Sequence, residues 1–284
     1  MSVRSGRGMG LARYHGSPFR RKERPLVWAH RGASRDALEN TLAAFEQAER
    51  QGADGIECDV RLCKSGELVV FHDERLARLA GLPVAVRDLR YEDLASVALR
   101  DPATGHEGRI PTLDEAMAAV SPQMLWNVEL KVDRHEQAEP LARAMVAWLR
   151  RTERADRVLV SSFHPLAILT CRRLAPELAT AYVFEPDGFN ALWHGFWLRT
   201  AASAAVHPPV EAVRKSRVER WQRLGLCVNP WVSNDADEMR RLADAGVDGI
   251  ITDVPALALQ VLSGDGPSWT STGRKSAASQ ETSR

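Results

Sequence analysis

The sequence predicts an α/β fold, a (β/α)₈ TIM barrel with a small β-hairpin inserted after the second strand, and three observations lead there. Short apolar runs alternate with amphipathic stretches from Leu26 to Leu262, the pattern of repeated strand-then-helix units and a parallel sheet. Eight such runs are present, the number that closes the barrel, and a 284-residue chain has room for its usual size of about 250 residues. The segment Gly52-Ala53-Asp54-Gly55-Ile56-Glu57-Cys58-Asp59 is also echoed by Gly246-Val247-Asp248-Gly249-Ile250-Ile251-Thr252-Asp253. Each places a glycine after a helix and an apolar strand next.

In chain order the strands are expected at Leu26 to Ala29, Gly55 to Val60, Met124 to Lys131, Val158 to Ser161, Ala179 to Phe184, Ala204 to His207, Leu226 to Trp231 and Gly249 to Thr252. Between them, Glu39 to Gln51, Glu136 to Arg151, Val210 to Leu224 and Ala236 to Ala245 carry apolar residues at spacings of three and four, which predicts helices. One connection differs. Lys64-Ser65-Gly66-Glu67 separates two β-like runs, Val60 to Cys63 and Leu68 to Phe71, which predicts the hairpin and leaves His72-Asp73 at its end.

Three segments are expected: a basic, flexible arm over residues 1–24, the barrel over 25–262, and a disordered tail over 263–284 rich in Gly, Ser and Thr. The arm holds seven Arg or Lys against Glu23 alone, a net of +6 in a chain whose formal charge is +1. It could touch anionic lipid or nucleic acid, but it has no aromatic interleaving and no recognisable binding module, so no nucleic-acid partner is expected. A hydrophobic share of 44% and a charged share of 26% suit a large packed core and exclude disorder throughout. Cys58, Cys63, Cys171 and Cys227 lack CxxC spacing and are expected as buried thiols. No stretch approaches the roughly 18 apolar residues of a membrane span, so a cytoplasmic protein is expected.

The chemistry lies in the strands. Side chains alternate faces, so Glu57 and Asp59 point the same way, as do Glu129 and Lys131. Inside a barrel, three carboxylates would repel one another and cost several kcal/mol each in desolvation unless neutralised. A divalent cation answers this, and an all-oxygen set favours Mg²⁺ or Ca²⁺, with Mn²⁺ a further candidate, over Zn²⁺. The competing reading makes Glu129–Lys131 an interior ion pair and Asp59 a turn cap. His30-Arg31-Gly32 ends the first strand, where barrel enzymes gather their catalytic groups, and His72 closes the hairpin beside the same strand ends. Two histidines astride a cation suit paired proton transfers, and Arg31 offers a fixed fork for phosphate oxygens.

Taken in order, Ala29-His30-Arg31-Gly32, Glu39-Asn40-Thr41, Ile56-Glu57-Cys58-Asp59-Val60, Val69-Val70-Phe71-His72-Asp73, Pro111-Thr112-Leu113, Asn127-Val128-Glu129-Leu130-Lys131, Trp231-Val232-Ser233-Asn234-Asp235 and Gly249-Ile250-Ile251-Thr252-Asp253 resemble the glycerophosphodiester phosphodiesterases. The resemblance implies a TIM barrel with an insertion after the second strand, one divalent cation, and hydrolysis of a small-molecule glycerophosphodiester to glycerol phosphate and an alcohol. It places His30 and His72 on the catalytic pair, Glu57, Asp59 and Glu129 on the metal ligands, and Arg31 and Lys131 on phosphate binding. Glu39 falls near metal and substrate. Cys63, Ser65 and Ser233 depart from the usual pattern without touching these positions.

Residues 185–205 match the family poorly. There Trp193 and Trp197 stand at helical spacing four, read first as a barrel helix's aromatic stripe and alternatively as a peripheral membrane contact near the site mouth. Two rival functions remain: lysophospholipase D-like hydrolysis with the same groups, and a non-catalytic barrel that binds phosphodiesters or a protein. Retention of every histidine and carboxylate of the pattern argues against the second.

Overall fold

The computed structural model describes residues 17–263 apart from 153, 186–196 and 199. Eight parallel strands form a nearly closed barrel: β1 (Leu26–His30), β2 (Gly55–Leu62), β6 (Leu125–Leu130), β7 (Val158–Ser162), β8 (Thr180–Val183), β9 (Ala205–His207), β10 (Cys227–Val228) and β11 (Gly249–Thr252). Ladders join them in the order β10-β9-β8-β7-β6-β2-β1-β11. The remaining seam is held by Asp248 N donating to Val228 O at 2.8 Å and Ile251 N to Pro230 O at 3.0 Å. The strands are short, apolar and buried on both faces, as parallel strands covered by helices are.

Alternation along each strand sorts the residues into layers. Trp28, Leu125, Leu159, Ala181, Ala205, Cys227 and Ile251 pack in the barrel interior, and Phe19 joins them with its ring centroid 6.2 Å from that of Trp28. Trp28 lies where a Cβ on Gly55 or Gly249 would come within 2.5 Å of its ring, so those two positions are open only to glycine. Two residues further toward the strand C-termini the interior turns polar, with His30, Glu57, Asn127, Ser161, His207 and Asn229, and two further on come Asp59 and Glu129. The outward faces pack on helices that include α1 (Leu42–Arg50), α2 (Leu113–Ala118), α3 (Ala138–Leu149) and α4 (Pro165–Leu174). A second outer cluster packs α5 (Lys215–Arg223), α6 (Ala236–Ala245) and α7 (Pro255–Leu262).

The hairpin forms as expected: β3 (Leu68–Val70) pairs antiparallel with β2, Val60 opposite Val70. It then leads into an excursion that its periodicity does not announce. Short helices Ala77–Ala80 and Tyr91–Ala95 and the ribbon β4 (Leu99–Arg100)/β5 (Glu107–Gly108) surround a core of their own, with Phe71, Leu76, Leu79, Leu94 and Ile110. Elements of two to five residues are too short to show a helical or strand period.

Three helix boundaries differ from expectation. Helix α1 begins at Leu42, because Asn40 turns into the left-handed region (φ 56°) and Thr41 caps the helix by accepting from Ala44 N. Helix α3 begins at Ala138 behind a 3₁₀ turn, His135–Gln137. The predicted Val210 to Leu224 helix divides into a 3₁₀ turn, Val210–Ala212, and α5, with Arg214 extended between them. The buried Val213 and Val218 are five apart, where a continuous helix would need three or four.

Of the expected flexible arm, residues 17–24 are held in place: Phe19 is buried and Arg24 pairs with Asp54 at 2.6 Å. Residues 1–16, the tail from 264 and Trp193 lie outside the described residues, while Trp197 packs half-buried against the outer cluster. All four cysteines are free and buried. Among the described residues no helix is long and apolar enough to cross a membrane.

The Trp28 layer yields a stability prediction. Gly55→Ala should destabilise the protein by about 1–3 kcal/mol in urea titration, as overpacked cores do. In a Trp28→Leu background the same substitution should cost measurably less, because the ring it strikes is gone; equal costs in both backgrounds would remove Trp28 as the cause.

Candidate active site

Strands β2 and β6 bring the acidic residues together. Their register sets Asp59 beside Glu129 and Glu57 beside Asn127, and one oxygen from each of Glu57, Asp59 and Glu129 lies within 4.8 Å of the others. Glu57 and Asp59 are 3% and 1% exposed. Two cations of the chain answer them. Lys131 Nζ lies 2.8 Å from Glu129 and 3.4 Å from Asp59, and Arg31 Nε lies 3.2 Å from Asp59. The Glu129–Lys131 pair of the competing reading therefore exists, but inside the acidic cluster, where two cations face three carboxylates.

The charge left over shows in the carboxylates themselves. Burial raises the pKa of Glu57 well above the ordinary Glu value, and the charges of Asp59 and Glu129 push it further. Burial would raise Asp59 too, but Lys131, Arg31, His72 and the Asn40 amide outweigh it and hold the carboxylate ionised. Without a further cation, Glu57 is the carboxylate of the three whose charged form is most disfavoured. Three clustered carboxylate oxygens with one negative charge unanswered fit a hard divalent cation.

Asn40 and Arg31 both adopt φ 56°, a conformation asparagine tolerates and arginine rarely takes. Hydrogen bonds fix both: Arg31 N donates to Glu57 Oε2 at 3.1 Å, and Asn40 N to Arg31 O at 2.9 Å. Asn40 then grips Asp59 twice, its Nδ2 donating to Oδ2 at 2.8 Å while its Oδ1 accepts from Asp59 N at 3.2 Å.

The two histidines are each backed by a carboxylate. His30 Nδ1 lies 2.7 Å from Asp253 Oδ1, and His72 Nδ1 lies 2.7 Å from Asp73 Oδ1. Burial opposes charge on Asp253, yet hydrogen bonds from His30, Asn234 and Ser34 lower its pKa to about 2. Asp73 is likewise held well below the ordinary range, burial being outweighed by His72 and Arg78. Ionised carboxylates only accept, so each Nδ1 carries the hydrogen and each Nε2 is left for a ligand.

His30, Arg31, Glu57, Asp59, His72, Glu129 and Lys131 line one cleft of about 290 Å³, with Phe163 and Trp231 also in its wall. Glu39 is not in that lining. It accepts from Arg31 Nη1 at 2.9 Å.

A sequence model of the glycerophosphoryl diester phosphodiesterase family matches residues 30–257. The chain belongs to this family. It is by class a phosphoric diester hydrolase. A glycerophosphodiester phosphodiesterase of Caldanaerobacter subterraneus subsp. tengcongensis is 33% identical, the match covering 84% of this chain and 97% of the relative. One from Bacillus altitudinis is 32% identical, covering 83% and 97%. Among solved structures, an Oleispira antarctica phosphodiesterase in complex with the product sn-glycerol-3-phosphate superposes with a TM-score of 0.74 at 28% identity, covering 84% and 96%. A further solved structure, from Silicibacter pomeroyi DSS-3, gives a TM-score of 0.77 at 26% identity, covering 89% and 98%.

Several supporting residues escaped sequence reading. Asp253 occupies the place in the second Gly-Asp-Gly echo that Asp59 occupies in the first, a signal that could have found it. Asn234 grips Asp253 as Asn40 grips Asp59, its Nδ2 donating to Oδ2 at 2.6 Å and its Oδ1 accepting from Asp253 N at 2.8 Å. His207, buried in the cleft with its pKa lowered by burial to about 3, and Arg78 carry no motif that marks them.

The depressed Asp253 pKa makes a pH prediction with a definite sign. Its contribution is fully present above the unfolded value of 3.8 and is lost as pH falls through about 2. Thermal unfolding of wild type between pH 5 and 2 should therefore lose up to about 2 kcal/mol more than that of Asp253→Asn. Parallel curves would show that Asp253 does not stabilise the fold as an anion.

Proposed function

We propose that the protein hydrolyses small glycerophosphodiesters to glycerol phosphate and an alcohol, with a divalent cation held by Glu57, Asp59 and Glu129 and proton transfer by His30 and His72. One observation carries the reading: two imidazoles, each oriented by its own carboxylate, line the same cleft as a three-carboxylate cluster that lacks one positive charge. The Oleispira antarctica phosphodiesterase, bound to sn-glycerol-3-phosphate, supports the product class.

When bound, Mg²⁺, Ca²⁺ or Mn²⁺ supplies positive charge for the phosphodiester oxygens. Arg31 and Lys131, fixed by their ion pairs with Asp59, share the remaining negative charge, so charge that develops on phosphorus oxygens meets oriented cations rather than reorganising water. One imidazole Nε2 takes the proton of the attacking hydroxyl as its oxygen bonds to phosphorus. The other gives a proton to the alkoxide as the P–O bond to the alcohol breaks. The cycle needs one neutral and one protonated imidazole at the outset. Glu39 holds Arg31 in place for its part.

The test is release of glycerol phosphate from glycerophosphocholine and glycerophosphoethanolamine, before and after chelation and with each cation restored. Activity should vanish on chelation and return with at least one of the three, and His30→Ala and His72→Ala should each cut turnover by about a hundredfold or more. Near-normal turnover in either variant removes that histidine from the mechanism. A preference for lysophosphatidylcholine would move the activity to the lysophospholipase D class.

A further inference from the structure

Arg78 is on the short helix Ala77–Ala80 of the excursion, away from the strand ends, yet it reaches two carboxylates of the site's periphery. Its Nε donates to Asp73 Oδ2 at 2.7 Å, its Nη1 to Glu39 Oε2 at 3.0 Å and its Nη2 to Glu39 Oε1 at 2.6 Å. Asp73 offers its other oxygen to His72, and Glu39 Oε1 also accepts from Arg31. One guanidinium thus joins His72, at the end of the hairpin, to Arg31, at the end of β1.

An arginine this exposed is most simply a surface ion pair, which contributes little. The bonding argues otherwise. All three guanidinium nitrogens are used in a bidentate fork plus a third bond, a geometry an ammonium cannot reproduce. Both carboxylates sit beside a cluster that already carries surplus negative charge, and without Arg78 neither would have this cation to hold it toward its partner. Asp73 would then be free to turn from His72 Nδ1, and with it the restriction that presents Nε2 to the cleft.

We infer that Arg78 is a positioning residue for hydrolysis, orienting His72 through Asp73 and Arg31 through Glu39 without touching substrate. The inference rests on the acid–base role proposed above for His72. Arg78→Ala should lower kcat on glycerophosphocholine by roughly tenfold to a hundredfold. Because the Arg78 side chain is 40% exposed, guanidinium at tens of millimolar should reach the vacated place and restore several-fold of the loss, where urea does not. In a His72→Ala background Arg78→Ala should cost clearly less than in the wild type, since the part of its effect that runs through His72 is already gone. Should Arg78→Ala fail to fold, Arg78→Lys keeps the stem and charge, and the same loss and the same non-additivity are expected of it. An unchanged kcat, or a loss that multiplies fully with that of His72→Ala, overturns the inference. A His72→Ala enzyme at wild-type turnover instead overturns the proposed function beneath it.

Discussion

Three carboxylates share the C-terminal end of one barrel, and most of the neighbouring structure exists to tolerate them. Two unit charges 4.8 Å apart repel by about 3 kcal/mol even at an effective dielectric constant of 20. Arg31 and Lys131 offset much of this, and the protein shows where the balance stops: Asp59, touched by both cations, stays ionised, while Glu57, touched by a backbone N–H, is driven toward its protonated form. The acidic cluster is therefore poised for a cation. The apolar layer around Trp28 beneath it closes the barrel, so the polar groups open only upward into the cleft.

Around that centre the same device recurs. Asn40 holds Asp59, and Asn234 holds Asp253, each by an amide that donates to the carboxylate and accepts from the backbone of the same aspartate. These grips fix one carboxylate of the acidic cluster and one histidine-orienting carboxylate in place. Among the described residues no asparagine grips Asp73 in this way; His72 meets Asp73, which Arg78 of the excursion holds in turn. The excursion thus completes the site from outside the barrel.

Much of this was legible from residue order alone. Alternation along Gly55–Leu62 and Leu125–Leu130 was enough to aim Glu57, Asp59 and Glu129 at one another, because period-two geometry leaves a strand no choice of face. All eight strands were visible as apolar runs, since a parallel strand covered on both sides has no polar face to disguise it. What stayed hidden was built from non-periodic pieces. The excursion's small core rests on elements too short for a pattern, and the Asn40 grip requires a left-handed turn that made Glu39 and Asn40 look like the start of helix α1. Arg78 was hidden for another reason: its partners are 5 and 39 residues away, distances at which a charge carries no signature.

A divalent cation should take up the negative charge that Arg31 and Lys131 leave unanswered among Glu57, Asp59 and Glu129. Calorimetric titration of Mg²⁺, Ca²⁺ and Mn²⁺ into the metal-free protein at pH 6, repeated in buffers of different ionisation enthalpy, measures both binding and proton release. Binding of at least one of the three at a single site, with proton release that Glu57→Gln reduces, is the predicted result. No binding of any of the three, or binding with no proton released, would contradict it.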